Sequence, residues 1–248
     1  MNEPINPIRP TTSQAIQLAK TLLRTARSGT IAVIDAATGR PLASRVGVAT
    51  DIDGTPVLLV SGLASHTPAL LAHPDCSLLL GDVGKGDPLA HARITIHCTA
   101  QKTERPSPDR ERLRRRYLNH NPKGALYADL GDFVFFKLSI ESASLNGGFG
   151  KAFNLTRDDL VSNQKAAENI AISEQDILDE LNASQGEAFA QYAGQAGKNA
   201  NGWKLIGIDP DGFDLASGDQ ILRSHFSSAT DSIESATQAL LATLQNKL

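Results

Sequence analysis

Between residues 30 and 62 the chain doubles back twice, with connections too short to hold a helix. TIAVID passes through AATGRP into ASRVGVATD, and DIDG then turns the chain into PVLLVSG. Each run is short, rich in Val, Ile, Leu and Thr, and closed by Gly, Asp or Pro, the pattern of strands joined by tight turns. Strands joined so closely pair antiparallel. The series continues with CSLLLGD, with ARITIHCTAQKTE and with the long DFVFFKLSIESASLNGG. In the second of these Ile94, Ile96, Cys98 and Ala100 alternate with polar residues, so one face is buried and the other wetter.

Helices are fewer in this part of the chain. TTSQAIQLAKTLLRTARS sets Ile16, Ala19, Leu22, Leu23 and Ala26 at helical spacing behind a Thr12 or Ser13 cap. SHTPALLAHP is a short helix that Ser65 could cap, and PSPDRERLRRRYLNHNP opens with a Ser cap, a Pro and an early Asp. Many antiparallel strands and few helices predict an α+β chain built on a β-barrel with helices around it.

After about Leu155 the composition changes. RDDLVSNQKAAENIAISEQD is polar and acidic and reads as a linker, with residues 157–169 expected to be the most protease-sensitive part of the chain. An amphipathic helix from Ser173 carries Ile177, Leu178, Leu181 and Ala188 on its apolar stripe. WKLIGIDPDGFDLAS and QILRSHFS are strands with Asp and Gly turns, and TDSIESATQALLATLQNKL closes the chain as a helix. The expected division is a barrel over residues 1–158 and a small α-β-β-α domain over 159–248.

Charge and motif content exclude several functions. A net charge of −3 gives no electrostatic case for nucleic acid. No apolar run approaches the roughly 20 residues that span a bilayer, so no membrane partner is expected. The opening MNEPINPIRPTTSQ, with Glu3 and three prolines, does not read as a secretory signal. Cys76 and Cys98 sit singly in apolar runs without zinc-ligand spacing and are expected to be buried free thiols. These features predict a cytoplasmic protein.

Among motifs, RERLRRRY interleaves Asp109 and Glu111 with its arginines and reads as the solvated face of a helix. DPDGFD, with Asp209, Asp211 and Asp214, has Gln220 where a calcium loop needs Glu and reads as a β-turn. There is no P-loop, no GxGxxG and no zincin histidine pair, and GGFGKA (147–152) ends a strand instead of opening a βαβ unit.

Over residues 26–155 the order of these pieces resembles the pyridoxamine 5′-phosphate oxidase-like FMN-binding split barrels, and within them the HugZ-type haem-utilisation proteins. The resemblance rests on PLASRVGVATDIDGTPVLLVSGLASHTPALLAHPDCSLLLGD, on DPLAHARITIHCTA and on RRRYLNHNPKGALYADLGDFVFFKLSIESASLNGGFGKA. The tail, with WKLIGIDPDGFDL, is similar to the small domain that often follows this barrel, including in plant relatives that bind glutamyl-tRNA reductase.

The resemblance implies a homodimer with a small-molecule cofactor between subunits, FMN or, as the alternative, haem. An FMN phosphate would meet the Ser61 hydroxyl, and Ser65, His66 and Thr67 stand where the oxidases carry Ser, Arg and Lys. Ser44 and Arg45 would face the same phosphate, and Arg93 takes the place of a glutamine that addresses the flavin ring. Exchanging two cations for His66 and Thr67 removes charge-assisted bonds and weakens phosphate binding. Phe153 and Asn154 stand where some haem-degrading relatives place a histidine, and Glu180 and Gln185 occupy histidine positions of the tail. No residue is an obvious general acid or base. The implied function is an oxidoreductase or haem-degrading protein, and the competing one is a cofactor-free barrel that binds a protein partner.

Overall fold

The computed structural model describes residues 8–199 and 201–245. The first seven residues of the N-terminal stretch and the last three of the closing helix lie outside the described residues. A two-residue strand β1 (Ile8–Arg9) and helix α1 (Ser13–Thr25) lead into β2 (Ser28–Ile34), β3 (Pro41–Thr50) and β4 (Pro56–Ser61). Helix α2 (His66–Ala72), β5 (Asp75–Leu80), β6 (Arg93–Lys102), α3 (Pro108–His120), β7 (Phe133–Asn146) and β8 (Ala152–Thr156) follow.

Hydrogen-bonded neighbours run β7-β4-β3-β2-β5-β6, and β6 returns to β7, which closes a six-stranded antiparallel barrel. The 14-residue β7 makes the closure by pairing with β4 near its start, with β6 along most of its length and with β8 at its end. Period-2 alternation fills the interior: Val46, Val48, Leu58, Val60, Leu78, Leu80, Ile94, Ile96, Phe136 and Leu138 share one core. Ala15, Ala19 and Leu23 of α1 and Ala69 and Leu70 of α2 complete it. Each fully buried Val, Leu, Ile or Phe among them stabilises the fold by about 1.5–3 kcal/mol.

Helix α3 covers an outer face of β3, β4 and β7, where Leu113 and Tyr117 pack on Ala49, Val57, Leu59 and Phe135. The approach is close: a Cβ at Gly47 would lie 2.2 Å from the Tyr117 hydroxyl, so any larger residue there would have to displace the Tyr117 ring.

The tail holds α4 (Arg157–Leu160), α5 (Gln164–Ala171), α6 (Glu174–Ser184), α7 (Gly186–Gln195), β9 (Lys204–Asp209), β10 (Gly212–Ser217), β11 (Gln220–His225) and α8 (Ile233–Gln245). It is richer than the α-β-β-α order expected, with an antiparallel β9-β10-β11 meander and three helices over residues 164–195. The helix expected from Ser173 through Ala188 breaks at Gln185, where Gly186 offers little helix propensity. Residues 157–169 are not an open linker. Thr156 and Asp159 form a capping box, Asn163 caps α5, and Leu160, Ser162, Ala166 and Ala167 are buried.

A charged seam joins tail and barrel. Arg24 on α1 donates to the carbonyls of Asp51 (2.9 Å) and Ile52 (2.8 Å) and pairs with Asp209 at 3.4 Å. Arg223 of β11 grips the same Asp209 through both Nη atoms, at 2.5 and 2.9 Å, and lies 3.4 Å from Asp214. Arg116 of α3 donates to the Thr50 carbonyl at 2.9 Å and pairs with Glu174. The two arginines that flank Asp209 hold its carboxyl well below the usual range, against the opposing pull of its burial. Among the described residues no helix is long and apolar enough to cross a membrane.

Candidate functional site

Ser61 closes β4, and the chain turns through residues 62–65 into α2. The Ser61 hydroxyl donates to the Asp132 carboxylate at 2.7 Å and accepts the Leu63 N–H at 3.1 Å. Thr67, buried, donates its hydroxyl to the Ser61 carbonyl at 2.6 Å, and the Gly62 N–H donates to the Asp132 carbonyl at 2.6 Å. Two of the expected phosphate donors are thus engaged inside the turn. Asp132 also places a negative charge against Ser61.

Ser65 does not cap α2. Its backbone is already helical (φ −56°, ψ −29°), whereas an N-cap needs an extended conformation, and its exposed hydroxyl makes no cap bond. His66 is only 8% exposed, and its Nε2 is buried without a hydrogen-bond partner among the described residues. Burial lowers its pKa, so the ring is neutral at physiological pH.

On β3, Ser44 is half-buried opposite Ile31, and Arg45 is exposed opposite Thr30. The β3–β4 pairing ends at Gly47 with Leu59, two residues short of Arg45 and Ser61. Arg45 forms no ion pair among the described residues. Arg93 stands apart from this group. It pairs with Asn146 at the end of β7, whereas Ser61 pairs with Phe133 at its start. Its guanidinium donates to the carbonyls of Leu89 (3.2 Å) and His91 (3.3 Å).

The structure therefore gathers Ser61, Ser65, His66 and Thr67 around one turn, leaves Ser44 and Arg45 on β3 beyond its pairing with β4, and sets Arg93 elsewhere. Reading the sequence missed Asp132. Its only signal is the acid in LGDF just before β7, which the strand pairing brings back to the end of β4.

A separate cleft of about 460 Å³ opens between α1, β8 and the glycine loop that precedes it, lined by Arg9, Ala15, Leu18, Lys151 and Phe153 among others. A third, polar recess of about 440 Å³ lies where α5 faces the barrel. There Arg112 binds Asp51 through two nitrogens, each at 3.0 Å, and Lys137 approaches the same carboxylate at 3.0 Å.

Residues 10–162 match the family described as CREG, beta-barrel. Over 117 residues the chain is 39% identical to the non-canonical heme oxygenase HOZ of Arabidopsis thaliana, a match covering 46% of this chain and 34% of that protein. The chain thus aligns with about a third of that relative's length. The solved structure of Atu2129 from Agrobacterium tumefaciens, a protein of unknown function, superposes with a TM-score of 0.80 at 29% identity, covering 96% of this chain and 100% of that one. A heme binding protein from Mycobacterium smegmatis shares the fold at 24% identity with a TM-score of 0.55, over 97% and 98% of the two chains. With a closed six-stranded barrel and a family match over more than half its length, the chain belongs to the CREG-type split β-barrel family.

Proposed function

We propose that this chain binds haem at the turn between β4 and α2, in a homodimer, and serves haem utilisation. The observation that carries the reading is the buried, unpartnered Nε2 of His66. Leaving a buried polar atom unsatisfied costs about 1–3 kcal/mol. A neutral imidazole nitrogen without a partner is also what a haem iron requires of a protein ligand. The 39% identity over 117 residues to a plant protein named as a non-canonical heme oxygenase supports the same class of ligand.

In this reading His66 would turn its buried ring nitrogen outward to hold the iron, and Arg45, exposed and without an ion pair among the described residues, would meet a haem carboxylate. Haem, when bound, supplies the oxygen chemistry. The protein orients it, and the pairing of Ser61 with Asp132 holds the turn in place. FMN is the second reading. The unbonded Ser65 hydroxyl and Arg45 favour an anion, whereas Asp132 and the engaged hydroxyls of Ser61 and Thr67 oppose a phosphate dianion.

The test is a pair of titrations followed by absorbance. Haemin should give a shifted Soret band that His66→Ala loses or displaces, and FMN should bind weakly or not at all. A Soret band unchanged by His66→Ala overturns the role of His66, and no haemin binding by the parent overturns the reading.

A further inference from the structure

GGFGKA is the sequence motif that the haem reading leaves unused. In the structure it forms the hairpin from β7 to β8: the Gly147 N–H donates to the Lys151 carbonyl at 2.8 Å, and Lys151 N–H to that of Gly148 at 3.2 Å. Gly148 and Gly150 have φ of +103° and +68°, and a Cβ at Gly148 would stand 2.9 Å from the Ala90 carbonyl oxygen. The tight turn fixes where Lys151 emerges.

β1 pairs parallel with β8, Arg9 opposite Phe153. Lys151, just ahead of β8, and Phe153 within it both line the cleft, and Arg9 joins them there by its pairing with Phe153. Across the cleft, Ala15 and Leu18 of α1 form an apolar wall with Pro10. Among the described residues, Arg9 and Lys151 are the only charged ones lining the cleft. Neither has an ion pair or a side-chain hydrogen bond among the described residues. Among the described residues the two cations share a mostly apolar cleft with no carboxylate in its lining. At about 460 Å³ the cleft falls within the usual small-ligand range of about 300–1,000 Å³.

We propose that this cleft binds the carboxylate end of an apolar-bodied acid of the fatty-acid class, with Arg9 and Lys151 on the carboxylate and Leu18 and Phe153 against the chain. Arginine matches a carboxylate in bidentate geometry and lysine adds a point charge. The site is distinct from the proposed haem site, because Arg45, Ser61 and His66 line no part of it.

The full chain is tested by displacement of a fluorescent dansyl fatty acid with dodecanoic acid and with dodecanol. Dodecanoic acid should displace the probe, and dodecanol, which lacks the carboxylate, should do so about tenfold less well, a difference of about 1.4 kcal/mol. Arg9→Glu with Lys151→Glu should abolish probe binding, and Arg9→Gln with Lys151→Gln should weaken it partially. Both residues are exposed, so circular dichroism and melting should match the parent. Equal displacement by acid and alcohol, unchanged binding in the charge-reversed protein, or no probe binding by the folded parent each overturns the site. A haemin titration altered by the Glu pair overturns its independence from the haem site, whereas failure of haemin to bind at all leaves this cleft's test intact.

Discussion

Leu78 inside the barrel and Asp209 in the seam are both wholly inaccessible, at 0% exposure, yet their surroundings are opposites. Around Leu78 lie Ile31, Ile96, Leu138 and the rest of a core that is aliphatic apart from Phe136 and two thiols. Around Asp209 lie Arg24 and Arg223, with Asp214, Arg116 and Glu174 beyond them. The seam balances three arginines against three carboxylates. Contacts in the barrel are numerous and interchangeable, so its stability should erode gradually. In the seam each charge depends on particular partners, and losing one strands the others in a low-dielectric setting.

Replacing Asp209 by Ala should therefore have the largest effect. It leaves Arg24 and Arg223 without their shared carboxylate and should cost about 3–5 kcal/mol in denaturant unfolding. A cost below about 1 kcal/mol would break the comparison, because it would mean the seam relaxes as freely as a surface.

The next effect is of pH. His120, beside the seam, donates its Nε2–H to the Ala26 carbonyl at 3.0 Å, and burial pushes its pKa down to about 4. In the unfolded chain the value is about 6.5, so the unfolded state takes up more protons between the two. Stability is then complete above about pH 6.5 and falls as pH drops toward 4, by on the order of 3 kcal/mol. His225, which burial also pushes down to about 4, adds in the same direction. His120→Gln should flatten the profile between about pH 6.5 and 5 while leaving the share due to His225. An unchanged slope would remove His120 from the account.

Ile96→Val should cost only about 0.5–1.5 kcal/mol, the gradual response expected of the barrel. At the small end lies Asp219, 92% exposed and 3.6 Å from Arg27 at the edge of the tail. Asp219→Ala should leave the unfolding midpoint unchanged within error. A clear shift would extend the seam's strict pairing to the surface.

The barrel was legible because its strands carry a period that sequence displays: Ile94, Ile96 and Cys98 announce one buried face with no knowledge of their partners. The seam carries no such signal. Arg24 reads as one more polar residue on an amphipathic helix, and DPDGFD does form the expected turn between β9 and β10. Nothing in either segment names the other, because an ion pair across so long a stretch of chain leaves no local periodicity. The turn after Ser61 was legible as a polar break between an apolar strand and a short helix. Its engagement with Asp132 depends on β4 meeting β7, and the failure of Ser65 to cap on one pair of backbone angles. Lys151 was visible inside its glycine motif. Arg9 was not, because a two-residue parallel strand has too few positions to show alternation.

Strand β7 has a consequence in time. Its early residues complete β4, as in Val57 with Lys137 and Leu58 with Phe136, and its later ones complete β6 and receive β8. Hairpins among β2, β3 and β4 can form from neighbours in the chain, but the ring cannot shut until β7 has been made and has found two strands from distant parts of the sequence. Such long-range closure is slow, because loop entropy is lost before contacts repay it. The apolar faces of β4 and β6 stay uncovered through that interval, which is when this chain is most exposed to mispairing with another copy of itself.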